Sequence, residues 1–181
     1  MNNNALKTPK KNGFTLIEVM VTLSIAAILI SIAVPSFKTL FKNNRVTAGT
    51  NEFVAALILA RSEALKRNNN VSICASENQQ TCSGGTDFAK GWIVFMDCDQ
   101  DGSIDNGAAS AACGGAPEQI IKVHDKLNVK SLKSTTGAKK YLNYTFSGRI
   151  RPADVVTMKL EEDGHPGKNI FISMTGRVRT E

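Results

Sequence analysis

The chain has 181 residues, 42% of them apolar and 21% charged, with a formal net charge of +6. That is too apolar for a disordered chain and too short for two sizeable cores beside a membrane segment. Two lone histidines, His124 and His165, and the lack of a Gly-x-Ser-x-Gly or a phosphate-binding glycine loop offer no catalytic constellation, so an enzyme is not expected.

Residues 1–13 form a polar leader that carries Lys7, Lys10 and Lys11 and no acid. From Phe14 to Phe37 the only ionisable side chain is Glu18, and about 20 apolar residues at ~1.5 Å each suffice to cross a bilayer core. The positive-inside rule keeps the leader in the cytoplasm and places everything after Phe37 on the other side. An ordinary secretory signal would carry a small-residue cleavage site after its apolar region, and none follows Phe37 closely. A carboxylate in lipid costs ~3 kcal/mol unless paired, so Glu18 reads as functional.

The stretch Gly13-Phe14-Thr15-Leu16-Ile17-Glu18 resembles the class III signal of type IV pilins and type II secretion pseudopilins. The resemblance implies that a prepilin peptidase cuts after Gly13 and that Phe14 becomes an N-methylated amino terminus. It also implies that Glu18 meets the amino terminus of a neighbouring pilin during assembly. Pro35 falls where pilins often carry a helix-bending proline. The implied location is a single pass through the inner membrane with a periplasmic carboxy-terminal domain, followed by incorporation into an extracellular fibre.

Beyond Pro35 the helix resumes. Val46, Phe53, Val54, Leu57, Ile58, Ala64 and Leu65 recur at three- and four-residue spacings and define an apolar stripe. Asn68, Asn69 and Asn70 stop it near Arg67, because asparagines favour turns over helix interior. Strand-like runs follow at 71–75, 91–96, 119–123, 127–132, 141–146, 155–160 and 169–174. The expected fold is α+β: a long N-terminal helix, transmembrane in its first half, packed against a C-terminal antiparallel β domain. The expected segments are 1–13 (leader), 14–37 (membrane and assembly half), 38–67 (amphipathic half), 68–175 (β domain) and 176–181 (basic tail).

Cys74, Cys82, Cys98 and Cys113 are an even set in an exported domain, which favours two disulfides over a metal centre. Pairing of neighbours, Cys74 with Cys82 and Cys98 with Cys113, is favoured among three connectivities. No cofactor is expected. Asp97, Asp99, Asp101, Gly102 and Asp105 match positions of a calcium-binding loop, but Ala108 stands where the bidentate Glu belongs. An Asx-rich turn is therefore favoured over calcium.

Charge is polarised: residues 68–121 hold one basic and seven acidic groups, and residues 122–181 hold twelve basic and six acidic. Gly148-Arg149-Ile150-Arg151 and Gly176-Arg177-Val178-Arg179 each place two arginines two residues apart. In extended chain that spacing sets them on one face ~7 Å apart, close to the separation of successive phosphates. Guanidinium grips phosphate oxygens in bidentate fashion. The second pair would lie on a mobile tail able to bind DNA without sequence preference. The bland reading keeps Arg149 and Arg151 as guards of a strand edge, while Trp92, Tyr141 and Tyr144 read as core.

A pilin helix, a cysteine-containing β domain and a terminal Gly-Arg-x-Arg resemble the FimT/GspH group of minor pilins. FimT-type members serving natural transformation bind DNA through that tail, which implies Gly176, Arg177 and Arg179 as contacts here. Lys139, Lys140, Arg149, Arg151 and Lys168 are basic neighbours named from composition alone. The implied partners are DNA, other major and minor pilins and the prepilin peptidase. The competing expectations are a minor pilin that primes or caps assembly and a GspH-type pseudopilin of type II secretion.

Overall fold

The computed structural model describes residues 13–105, 113–115 and 117–181; the leader lysines and Ala108 lie outside the described residues. The chain divides into a unit ending at Leu40 and a compact unit Phe41–Glu181. One helix, α1, runs Leu16–Arg67 with Pro35 inside it. Thr15 Oγ1 accepts the Glu18 N–H at 3.3 Å and so caps the first turn. The hydroxyls of Thr22, Ser24 and Ser31 donate to carbonyls three or four residues back. These three hydroxyl hydrogens are therefore satisfied within the helix, as hydrocarbon requires. The run is long and apolar enough to cross a membrane, with a mean hydropathy of 2.5 over its best window.

In the second unit the buried face of α1 is Val46, Gly49, Thr50, Phe53, Ala56, Leu57, Ala60 and Ala64. Small residues along this stripe let strands approach closely: a Cβ on Gly49 would sit 3.0 Å from Leu160 Cδ1. Ile58 and Leu65, expected on the stripe, are more than half exposed. Each lies one residue, about 100°, past the buried Leu57 and Ala64, which carries it beyond the rim of the packed face.

Among the described residues eight strands follow: β1 (Val71–Ala75), β2 (Trp92–Met96), β3 (Ile120–His124), β4 (Ser131–Ser134), β5 (Tyr141–Tyr144), β6 (Val156–Glu162), β7 (His165–Ile172) and β8 (Val178–Thr180). They form two four-stranded antiparallel sheets in the orders β3-β2-β1-β5 and β4-β6-β7-β8. β1 is flanked on both edges by strands and is buried at every position, which suits its unbroken Val-Ser-Ile-Cys-Ala run. β6 alternates instead, with Val156, Met158 and Leu160 buried.

The expected strand 127–132 is displaced. Leu127 is buried as a loop residue whose N–H donates to Ala89 O, and pairing begins only at Ser131. The turn before it is organised by Asp87, whose Oδ1 accepts the N–H groups of Ala89 and Leu132. Phe53 anchors the core, edge-on to Phe88 at 5.4 Å and to Trp92 at 5.3 Å. Trp92 also stacks on the His124 ring at 3.9 Å, so it is fully buried and offers no face to a base.

The cysteines pair as Cys74–Cys82 and Cys98–Cys113. The segment expected as a mobile tail is not free. Residues 178–180 are the edge strand β8, and the Glu181 and Asn169 backbones exchange hydrogen bonds at 3.0 and 2.9 Å. Three residues with a lone valine between arginines carry too weak an alternation to announce a strand.

Candidate nucleic-acid interface

Two turns present the arginines, and they are built alike. Thr145-Phe146-Ser147-Gly148-Arg149-Ile150-Arg151 and Ser173-Met174-Thr175-Gly176-Arg177-Val178-Arg179 agree in residue class at every position. In the first, the Thr145 N–H donates to Arg149 O, the Gly148 N–H donates to Thr145 O, and the Thr145 and Ser147 hydroxyls meet at 2.9 Å. In the second, the Ser173 N–H donates to Arg177 O, the Gly176 N–H to Ser173 O, and the Ser173 and Thr175 hydroxyls meet at 3.0 Å.

Gly148 and Gly176 stand at φ 71° and 75°, the left-handed region that glycine enters without a Cβ penalty. The two turns touch at these glycines: a Cβ on Gly176 would lie 2.3 Å from Gly148 O. Arg61 of α1 completes the corner, its Nε donating to Gly148 O at 2.9 Å. Arg149 and Arg177 therefore leave from adjoining backbones, with half-exposed Phe146 and Met174 at matching places. The short Gly-Arg-x-Arg repeat was legible in the sequence. The seven-residue likeness and the part of Arg61 were missed, although aligning the two segments would have found the former.

On β8, Arg179 stands opposite Phe171, which stands opposite Thr157. Arg177 and Arg179 line a groove of about 660 Å³ with Val155, Thr157, Phe171 and Ser173. Both arginines are exposed, and neither forms an ion pair among the described residues. A guanidinium with no carboxylate partner keeps its donors available to an incoming anion.

The other basic residues named from composition divide. Arg149 and Lys140 are exposed. Arg151 is engaged inside the domain: its Nε donates to Asp154 Oδ2 at 2.9 Å, its Nη1 to Gln100 O at 3.1 Å, and its guanidinium lies 5.1 Å from the Tyr141 ring centre. Lys139 contacts Asp154 at 3.5 Å and the Ala153 carbonyl. Lys168 Nζ donates to Thr47 Oγ1 at 3.3 Å. The expectation that Arg149 and Arg151 act as a matched pair is therefore corrected, since Asp154 and Gln100 already hold Arg151.

The acidic loop takes the Asx-rich turn favoured from its sequence. Asp97, Asp99, Asp101 and Asp105 do not converge as consecutive loop ligands. Asp99 Oδ1 accepts the Asp101 N–H and Asp101 Oδ1 accepts the Ser103 N–H, an Asx-turn pattern. The Asp105 N–H donates to Glu118 Oε2. Asp97 is fully buried, and Glu118, which sequence spacing did not single out, is its buried acidic neighbour.

In α1, Glu18 is exposed and has no basic partner among the described residues. An unpaired carboxylate on an apolar helix and a helix-backed pair of antiparallel sheets define the pilin class. Residues 49–176 match the family described as type II transport protein GspH, and residues 8–34 match the prokaryotic N-terminal methylation motif. The chain belongs to the GspH family and has the type IV pilin fold.

A fimbrial protein of Pseudomonas aeruginosa is 28% identical over 141 residues, covering 71% of this chain and 91% of that protein. The crystal structure of the type IV minor pilin FimU from P. aeruginosa superposes with a TM-score of 0.56 at 23% identity, covering 77% of this chain and 90% of FimU. A second crystal form of FimU gives 0.52 at 25% identity, covering 75% and 91%. The family match ends at Gly176, so Arg177 and Arg179 lie just beyond it.

Proposed function

We propose that this chain is a minor type IV pilin that binds extracellular DNA without sequence preference and supports DNA uptake in natural transformation. The observation that carries the reading is the state of Arg177 and Arg179: exposed, without acidic partners, and set on a groove-lining strand. Arg149 joins them from the adjoining turn, and Lys140 adds a further exposed cation. Asp154 holds the Arg151 and Lys139 side chains within the domain, so these two contribute field rather than contacts, whereas Lys168 gives one of its three donors to Thr47 and keeps the others for an anion.

In the same reading the prepilin peptidase cuts after Gly13, Phe14 becomes the methylated terminus, and Glu18 pairs with the amino terminus of a neighbouring pilin. That pairing removes the cost of an isolated carboxylate in lipid. The domain beyond the membrane segment faces the periplasm before it enters the fibre.

The test is DNA binding by residues 41–181 across a salt series. Each phosphate contact adds ~0.9 to the slope of log affinity against log salt. Arg177→Gln with Arg179→Gln is expected to lower that slope by about 2 and to weaken binding equally for unrelated sequences. An unchanged slope refutes the reading. The family's description favours a second reading, a type II secretion pseudopilin. Deletion separates the two: transformation is lost with pili intact in the first case, and protein secretion is lost in the second.

A further inference from the structure

β2 ends at Met96, and its next residue, Asp97, carries a carboxylate with no solvent exposure. Oδ2 accepts from Ser72 Oγ at 2.5 Å, from the Gly102 N–H at 3.2 Å and from Asn143 Nδ2 at 3.3 Å. Oδ1 is buried and has no partner among the described residues, and the neighbouring Asn143 Oδ1 is buried without one among them too. This pocket therefore holds more acceptors than donors. A bare buried carboxylate oxygen is costly, and a cation is one way to satisfy it.

Two further carboxylates lie beside that of Asp97. One oxygen from each of Asp97, Asp99 and Glu118 lies within 4.8 Å of the others. Glu118 is also buried; its two oxygens accept the N–H groups of Cys98 and Asp105, which leaves a lone pair on each. Among the described residues no lysine or arginine pairs with any of the three. Burial and the neighbouring aspartates push the Asp97 carboxyl above its ordinary value, and burial does the same to Glu118. Three like charges at this separation with no counter-charge repel one another strongly in a low-dielectric setting.

We propose that Asp97, Asp99 and Glu118 hold one calcium ion. Calcium takes oxygen ligands at ~2.4 Å, so two ligands on one ion stand at most ~4.8 Å apart, a limit this set stays within. Calcium is preferred to magnesium because three carboxylates from positions 97, 99 and 118 form an irregular set. Magnesium demands near-octahedral geometry and gives up its waters reluctantly. The thiols nearby contribute nothing, since Cys98 and Cys113 are joined. The ligand set differs from the contiguous loop of Asp97, Asp99, Asp101 and Asp105: Glu118 replaces the last two, and the ion ties the strand end at Asp97 to the segment entering β3.

The experiment is equilibrium dialysis of the detergent-solubilised full chain against radioactive calcium. Wild type is expected to retain one calcium per chain, half-saturated at about 0.1–1 mM, the range of extracellular modules. Asp99→Asn is the informative variant, because Asp99 is exposed and its amide analogue keeps the bond to the Asp101 N–H. It is expected to weaken calcium at least tenfold, whereas Asp101→Asn leaves affinity within about threefold. No retention at ~10 mM calcium, an unaffected Asp99→Asn protein, or equal retention of magnesium would each overturn the assignment. Weakening by Asp101→Asn as large as by Asp99→Asn would overturn it as well, in favour of the contiguous loop.

Discussion

Replacing Gly176 by alanine probes the contact between the two turns directly. The residue stands at φ 75°, where a Cβ costs about 1–2 kcal/mol. The added Cβ would also lie 2.3 Å from Gly148 O and 3.1 Å from Tyr144 Cε1. A backbone oxygen must then withdraw by roughly 1 Å from a well-bonded turn, an overpacking cost of about 1–3 kcal/mol. Gly137 is the matched control, since its φ is 77° and a Cβ there meets nothing within 4 Å. It bears the dihedral cost alone.

At roughly 3 °C per kcal/mol for a domain of this size, Gly176→Ala should lower the melting temperature by about 10 °C. Gly137→Ala should lower it by about 4 °C on the same scale. Circular dichroism melts of residues 41–181 measure both. Variants that melt within about 2 °C of each other would show that the turns do not bear on one another, and the shared corner of Arg149 and Arg177 would fall with that contact.

Truncating Phe53, which is fully buried against Phe88 and Trp92, to alanine should cost about 3–5 kcal/mol in urea unfolding. Replacing Cys98 and Cys113 by serine opens a 15-residue separation and should cost about 3 kcal/mol; an unchanged urea midpoint would contradict this. Arg151→Gln should destabilise the domain by about 1–3 kcal/mol through Asp154 while leaving the salt slope of DNA binding unaltered. The raised Asp97 carboxyl predicts a pH effect in chelator. Above the ordinary carboxylate range the unfolded chain releases this proton before the folded one, so folding stability falls as pH rises toward the folded value. Asp97→Asn removes that loss, and melts across pH should show the variant gaining on wild type as pH increases.

The helix was legible because it rests on local signals: an apolar run interrupted only by Glu18, a three-four stripe after Pro35, and three asparagines at its end. Six of the seven expected strand runs were legible for the same reason, and β1 matched to the residue. What escaped depended on partners distant in sequence. β8 is a strand only because Phe171 and Ile172 stand beside it. Arg151 looks identical to Arg179 in its motif, yet Asp154, Gln100 and Tyr141 hold it. Glu118 joins Asp97 from twenty-one positions away, a distance no loop template spans.

The paired turns separate two demands that usually conflict. Hydroxyl, glycine and backbone bonds set the shape of each turn, whereas Phe146 and Met174 project from it half exposed and enter none of those bonds. Their identities can therefore change at little cost to folding. A lineage could re-tune the chemistry of this tip by point substitution at two places while the scaffold beneath stays intact, which makes the corner a natural site for divergence among relatives that share the fold.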